Sequence, residues 1–216
     1  MTPRVLAVSV GLPRVIGERG TEPVRSGIGK RPVVGPVAVG AMGIAGDGQA
    51  DLINHGGLDK AVYAYDRADA AYWENRLGRA LPPGALGENL TVEGLPTTDV
   101  RVGDRFRIGD VLLEVTQPRV PCYKLGIHMG DAAFPAAFAR ALRVGFYLRV
   151  VEPGTLANGM PLTAMKKAET SLTVAELMRL YLSGERNTAR LAAAVALPEL
   201  SAAWREELSA RLTARQ

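Results

Sequence analysis

Glycine and proline interrupt the first 167 residues so often that only short secondary structure elements fit between them. The chain has 216 residues, of which 24 are glycine and 14 are proline. The β-branched stretch 33–39 is broken at Gly35-Pro36, and runs of this kind favour a barrel or a sandwich over a helical bundle. The clearest pattern is a hairpin in which 105–108 and 111–116 alternate and meet at Gly109-Asp110. The chain is therefore predicted to be mainly β, with sheets that have one polar face.

A few peripheral helices are expected beside these strands. Asp66 can cap a helix, Asp69 follows three positions later in a capping-box-like arrangement, and Gly78 can end the helix. A second short helix is expected over 131–142. Further strands are expected at 89–92, 145–151 and 161–164.

The pattern changes at about residue 168. Thr173 and Glu176 form a capping box of the T-x-x-E type, and apolar residues follow at helical spacing. Two more helices are predicted, one from 187 or 188 to 195 and one over 199–212, with Pro198 between them. We therefore predict two domains: a β-barrel domain over residues 1–167 and a small three-helix domain over residues 168–216.

The cysteine content points to a reducing compartment. Cys122 is the only cysteine, so an intrachain disulfide cannot form. The apolar run 5–12 is of strand length, too short for a signal sequence and far too short to cross a bilayer. We expect a cytoplasmic protein that makes no membrane contact.

The surroundings of Cys122 suggest chemistry. The segment 117–125 contains two prolines, which stiffen the chain, and two cations, Arg119 and Lys124. Nearby cations stabilise a thiolate, and the thiolate is the form that acts as a nucleophile or as a metal ligand. A strand is predicted to end just before the turn at Pro118, and site residues often lie on loops held by a rigid scaffold.

The positive charge lies on one side of the predicted boundary. The net charge is +4; 20 Lys and Arg face 16 Asp and Glu before residue 168, and six Arg face six Glu after it. The chain has 21 arginines and only five lysines, so each lysine suggests a position that needs a compact ammonium group. A cationic pocket for a small phosphorylated or anionic ligand is one reading, and a mildly basic solvated surface is the other.

Three more segments could contribute to a site. In the first, His55 precedes Gly56-Gly57 and Lys60, and glycine backbone amides can approach an anion closely. In the second, Glu88 and Asn89 follow Gly87 and either bind polar ligand atoms or cap the turn.

The third segment, 27–32, places Lys30 among glycines but lacks the spacing of a P-loop. His128 has no zinc-type spacing to Cys122 and is expected to be structural or to lie behind the site. The dinucleotide fingerprint G-x-G-x-x-G, the nucleophile elbow G-x-S-x-G and the motif H-E-x-x-H are all absent.

Together these segments resemble the MOSC domain, named after the C-terminal part of molybdenum cofactor sulfurase. The resemblance covers about residues 20–165, and the helical tail resembles the three-alpha domain of the YiiM-type subgroup. The segments that carry it occur in this order: 28–33, 55–61, 87–90 and 117–125.

The resemblance implies a β-barrel that binds the molybdenum cofactor (molybdopterin), with Cys122 as the protein ligand to molybdenum and as the catalytic residue. It implies reduction of N-hydroxylated compounds, such as 6-N-hydroxylaminopurine-type base analogues, by two-electron oxygen-atom transfer. The cofactor-binding residues expected from motif position are Lys30, His55, Gly56, Gly57, Lys60, Glu88, Asn89, Arg119 and Lys124.

The same resemblance leaves the source of electrons outside the chain. The sequence has no flavin or nicotinamide motif and too few cysteines for an iron–sulfur cluster. A separate electron-donor protein, a flavin or iron–sulfur reductase, is therefore expected as a partner, and the helical tail is one hypothetical docking surface for it.

Two alternatives belong to other classes of function. Cys122 could carry a persulfide and deliver sulfur without turning over a substrate. The three C-terminal helices could instead bind nucleic acid. The balanced charge of the tail and the pair Glu206-Glu207 in its third helix argue against that reading, because a DNA-binding element should present a basic stripe.

Overall fold

The computed structural model describes residues 2–50, 56–169, 171–184 and 188–214, and its centre is one curled eight-stranded sheet. The strand order in this sheet is β13-β9-β10-β11-β7-β8-β1-β4. Neighbours run antiparallel except β7 and β8, which are parallel. A three-stranded sheet, β12-β5-β6, and the hairpin β2-β3 complete the β structure.

The strands are β1 Arg4–Val10, β2 Arg14–Arg19, β3 Glu22–Ser26, β4 Arg31–Pro32, β5 Val37–Gly40, β6 Gly43–Ile44, β7 Val62–Asp66, β8 Leu90–Glu93, β9 Arg105–Ile108, β10 Val111–Pro118, β11 Phe146–Glu152, β12 Gly154–Leu156 and β13 Thr163–Lys166. The α-helices are α1 Arg67–Leu77, α2 Tyr123–Met129, α3 Phe134–Arg140, α4 Val174–Leu182, α5 Thr188–Val195 and α6 Ala202–Thr213. A short 3-10 helix spans Leu58–Lys60.

The eight-stranded sheet curls until its two ends nearly meet. The amide of Val5 in β1 donates to the carbonyl of Met160 at 2.9 Å, and the amide of Leu162 donates to the carbonyl of Pro3 at 2.8 Å. These bonds satisfy edge groups that an open sheet would leave exposed. The predicted mainly β, barrel-like fold with a three-helix C-terminal part is confirmed.

Local sequence signals located several elements correctly. α1 follows Asp66, whose Oδ1 accepts the amide of Ala68 at 2.8 Å, and it ends before Gly78 in the left-handed region. The hairpin β9-β10 forms where the alternation predicts it. The predicted role of Asp69 in a capping box is wrong. Asp69 is fully buried, and its Oδ2 accepts a hydrogen bond from the amide of Thr97 at 2.9 Å.

The polar face expected for the hairpin is not present on β10. All eight of its residues are buried, because α4 packs against the strand. Glu114, only 3 % exposed, is retained there by ion pairs with Arg105 at 2.6 Å and Arg149 at 3.4 Å. Alternation over a short stretch cannot reveal that a distant helix will cover the second face of a strand.

The C-terminal helices share the core of the barrel. The capping box of Thr173 and Glu176 is confirmed at the start of α4. Met178, Leu191 and Leu208 are fully buried and belong to the same hydrophobic cluster as the sheet residues. Removing the helices would expose this cluster to water. The predicted boundary between residues 167 and 168 stays a prediction.

Two elements were not anticipated. α2 begins directly after Cys122, and the hairpin β2-β3 contacts it through Gly17 and Ile127.

No helix in the described part of the chain has the length and apolar character needed to cross a membrane.

Gly145 gives a test of how tightly the core is packed. Its φ is +67°, and an added Cβ would lie 2.5 Å from the carbonyl oxygen of Ala64. Gly159 also has a positive φ, +82°, but an added Cβ would meet nothing within 4 Å. We expect Gly159→Ala to cost about 1–2 kcal/mol from backbone strain alone. Gly145→Ala should cost about 1–3 kcal/mol more from overpacking. Urea denaturation measures both, and equal losses would show that Gly145 does not pack closely against Ala64.

Candidate functional site

A cationic cleft opens where the loops after β3, β6 and β10 converge. Its volume of about 100 Å³ is several times what a single bound water needs. The described lining residues include one thiol, Cys122, and one carboxylate, Asp47. Four lining side chains are cationic, namely Lys30, Lys60, Arg119 and Lys124. The cleft therefore favours an anionic ligand.

The end of β10 delivers two of these residues. Pro118 is the last residue of the strand, and the amide of Arg119 donates to the carbonyl of Gly145 at 3.3 Å. Cys122 then caps α2 in an extended conformation, and its carbonyl accepts the amide of Leu125 at 3.0 Å. The thiol is free and half-buried at the cleft wall.

Arg119 is a buried cation with unusual partners. It is 7 % exposed, and its guanidinium carbon lies 5.1 Å from the ring centre of Tyr63 and 5.6 Å from that of Phe138. Its buried Nη1 has no hydrogen-bond partner, and no carboxylate of the described residues lies within ion-pair distance. A buried polar group without a partner is costly, and Arg119 is one of the residues that line the cleft.

The charge of Arg119 is retained despite its burial. Burial lowers the pKa of the guanidinium, but neighbouring Tyr63, Tyr147 and Cys122 raise that pKa by more. The side chain therefore stays protonated, and Cys122 is one of the groups that feel its field.

Lys30 is held in a polar network in the lining of the cleft. Its Nζ contacts Oδ1 of Asp47, which also accepts the amide of Gly11 at 2.8 Å. Oδ2 of Asp47 accepts Nδ2 of Asn89 at 2.9 Å. Burial lowers the pKa of Lys30, and the adjacent Asp47 carboxylate opposes that shift. The network fixes the lysine at the cleft with part of its charge balanced.

The glycine loop brings Lys60 to the cleft. Gly57 adopts a φ of +93°, and its amide donates to Oε1 of Gln49 at 2.8 Å. The amide of Lys60 closes the short 3-10 turn on the carbonyl of Gly57 at 3.0 Å. Gly56 and Gly57 do not themselves line the cleft. His55, the remaining predicted member of this loop, lies outside the described residues.

Of the neighbouring residues Glu88 and Asn89, only Asn89 lines the cleft. Glu88 does not line the cleft: its carboxylate accepts the amides of Gly84 at 2.7 Å and Leu86 at 3.0 Å, which closes the turn before β8. Burial raises the pKa of Glu88. Asn89 does line the cleft, and its Oδ1 accepts the amide of Tyr63 at 3.1 Å. Cofactor contact by either residue stays a prediction.

The cleft lining includes residues that had not been expected, among them Asp47, Tyr63 and Tyr147. Asp47 lies within the glycine-rich segment 43–48, where no site residue was predicted. Tyr63 and Tyr147 lie in neighbouring strands with ring centres 5.2 Å apart. The hydroxyl of Tyr63 donates to the carbonyl of Val144 at 2.8 Å. No sequence signal marks a strand tyrosine as a wall of a cleft, because its direction depends on how the sheet curls.

His128 behaves as expected for a structural residue. Its Nε2 lies 2.9 Å from the carbonyl oxygen of Ala85, and burial lowers its pKa. Within the described residues, no three His, Cys, Asp or Glu side chains cluster as metal ligands. A metal held by Cys122 would therefore take further ligands from a cofactor.

The geometry defines a class of protein. A curled β barrel presents a free thiol and a buried guanidinium in one cationic cleft, and no carboxylate of the described residues pairs with that guanidinium. The chain belongs to the MOSC domain family: the model of the MOSC domain matches residues 51–163, and that of the YiiM-like 3-alpha helix domain matches residues 172–215.

Three known proteins illustrate this relationship. Protein YiiM of Escherichia coli is 34% identical over 154 residues, covering 70% of this chain and 68% of that protein. A protein named Reductase from Gibberella moniliformis is 31% identical over 188 residues, covering 81% of this chain but only 32% of the longer protein. The crystal structure of YiiM from Geobacillus stearothermophilus superposes with a TM-score of 0.83 at 35% identity, covering 97% of this chain and 99% of that one.

No carboxylate in residues 2–50, 56–169, 171–184 and 188–214 pairs with Arg119, and this leads to a stability prediction. We expect Arg119→Met to leave the cofactor-free protein as stable as wild type or more stable by up to about 2 kcal/mol, because a buried charge is removed and no carboxylate is stranded. Arg149→Met is the matched control. It should cost about 1–3 kcal/mol because Arg149 pairs with the buried Glu114. Thermal and urea denaturation check both, and marked destabilisation by Arg119→Met would contradict the role of an uncompensated cation.

Proposed function

We propose that this chain is a molybdenum-cofactor-dependent reductase of N-hydroxylated compounds, such as 6-N-hydroxylaminopurine-type base analogues. MOSC proteins are associated with molybdenum-cofactor-related reductase or sulfurase activity. The observation that carries the proposal is the position of the free Cys122 thiol in the same cleft as the unpartnered Nη1 of Arg119.

The residues present fit the molybdenum cofactor. Its anionic phosphate suits a cleft in which cationic side chains outnumber the single described carboxylate. The buried Nη1 of Arg119 offers a donor whose cost is offset only when an acceptor is bound. The Cys122 thiolate is a soft ligand suited to molybdenum. Lys30, Lys60 and Lys124 would hold the anionic end, with Cys122 as the protein ligand.

The proposed reduction divides its tasks between the cofactor and the residues of the chain. Conversion of R–NH–OH to R–NH₂ and water consumes two electrons and two protons, and the N–O bond is the bond that breaks. When bound, the cofactor supplies the two-electron couple for this step. The chain supplies position: Arg119 and Lys30 orient the anionic group, and Cys122 anchors the metal end at the cleft wall. Tyr63 and Tyr147 form an aromatic part of the cleft wall.

The longer relative supports an oxidoreductase with a separate source of electrons. The region similar to this chain makes up about a third of the Gibberella protein named Reductase, so that protein has further parts. We propose that a separate flavin or iron–sulfur protein provides to this chain the electrons that a reductase requires.

The proposal predicts that cofactor retention depends on one sulfur. Protein from a host that makes molybdopterin should contain molybdenum and pterin, and Cys122→Ser should lower the molybdenum content about 10- to 100-fold because a direct metal ligand is lost. Tyr123→Phe, next in the chain but outside the cleft lining, is the matched control and should retain both. Metal analysis and pterin fluorescence provide the measurement.

Turnover then tests the substrate class. Wild type and Tyr123→Phe should reduce 6-N-hydroxylaminopurine with an artificial donor, whereas Cys122→Ser should not. Wild-type protein that carries a persulfide on Cys122 and no pterin would contradict the proposal and favour the sulfur-carrier function instead.

A further inference from the structure

Asp59 joins the C-terminal helices to the loop that bears Lys60. Its Oδ2 accepts the amide of Ala202, the first residue of α6, at 3.0 Å. Its Oδ1 lies 3.0 Å from a guanidinium nitrogen of Arg149 in β11. Its backbone carbonyl accepts the hydroxyl of Thr116 in β10 at 2.6 Å. One residue is thus held from three elements at once.

The next residue in the chain is part of the cleft. Lys60 lines it, and the 3-10 helix Leu58–Lys60 is only three residues long, with the amide of Lys60 bonded to the carbonyl of Gly57. A single turn this short has little intrinsic stability. The contacts of Asp59 therefore help to fix the backbone that carries Lys60, together with the hydrogen bond that Gln49 Nε2 donates to the Lys60 carbonyl at 3.4 Å.

The helical part of the chain is itself tied to the same place. The carbonyl of Glu199 accepts a guanidinium hydrogen bond from Arg149 at 2.9 Å, and the amide of Ser201 donates to the carbonyl of Thr116 at 3.3 Å. The segment that begins α6 therefore contacts both of the residues that also hold Asp59. These contacts form a continuous hydrogen-bonded path from α6 to the wall of the cleft.

We propose that Asp59 is a positioning residue through which the C-terminal helices hold Lys60 at the cleft to bind the phosphate of an anionic ligand. This inference rests on the proposed function in so far as the ligand is anionic. It gives the three-helix unit a role inside the binding site that is distinct from docking an electron donor.

A double-mutant cycle tests whether Asp59 acts through Lys60. The full-length, cofactor-free protein is titrated with inorganic pyrophosphate by calorimetry, as wild type, Asp59→Asn, Lys60→Ala and the double variant. Lys60→Ala should weaken binding about tenfold, the value of one hydrogen bond to a charged group. Asp59→Asn should weaken binding by a similar factor alone and by almost nothing in the Lys60→Ala background.

Ala202→Pro removes the contact from the other side. Proline is favoured at the first position of a helix and lacks the amide hydrogen that Asp59 accepts. Ser201 already has an extended backbone, φ −57° and ψ 150°, which is compatible with a following proline. Glu199→Gln is the matched control, because it removes the ion pair of Glu199 with Lys166 at 2.6 Å and leaves the Asp59 contacts intact.

Hydrogen exchange provides the second measurement. In Asp59→Asn and Ala202→Pro, the amides of 56–60 should exchange faster than in wild type, and pyrophosphate affinity should fall. Glu199→Gln should change neither. The proposal is overturned if Asp59→Asn weakens binding equally with and without Lys60, if Lys60→Ala leaves binding unchanged, or if Ala202→Pro leaves both measurements at wild-type values. None of these readouts uses turnover or molybdenum, so they can fail while the reductase assay succeeds, and the reverse.

Discussion

The organisation of the cleft depends on a guanidinium group that is buried without a carboxylate partner among the described residues. The guanidinium of Arg119 packs against two aromatic rings, and its Nη1 has no acceptor within the described part of the chain. Burying an uncompensated charge costs stability that a core packed only for stability would avoid. Cys122 lies near this guanidinium group, because the turn that begins at Pro118 brings the side chains of Arg119 and Cys122 to the same cleft. Binding of an anion to Arg119 would offset this loss of stability.

The barrel and the C-terminal helices form one packed unit around β10. Both faces of this strand are buried, one by the barrel and one by the helices, and Glu114 is accommodated by two arginines. Arg149 belongs to this pair, to the contact with Asp59 and to the contact with Glu199. This arginine therefore joins the C-terminal helices to the loop that bears Lys60, and partly buried ion pairs of this kind are screened less by salt than exposed ones.

Local chemistry made much of the fold predictable. Caps, turns and alternation act over three to five residues, so Asp66, Gly78 and the box at Thr173 and Glu176 located helix ends correctly. The segments that contain glycine and lysine also meet at the cleft, because three of the five lysines line it. The misses have one cause. The burial of β10 and the tyrosine walls depend on which distant element covers a strand, and no short pattern contains that information.

The sequence by itself determined which chemical groups are available: one thiol, few ammonium groups and many guanidinium groups, and the short strands that carry them. The tertiary structure decided how those groups are used. It pairs Lys30 with Asp47, 17 positions away, and leaves Nη1 of Arg119 without a partner. It also turns the carboxylate of Glu88 towards backbone amides and away from the cleft. Covalent order sets the residue types, but whether a charge is paired or stranded is a property of long-range packing, because only the folded chain brings or withholds the partner.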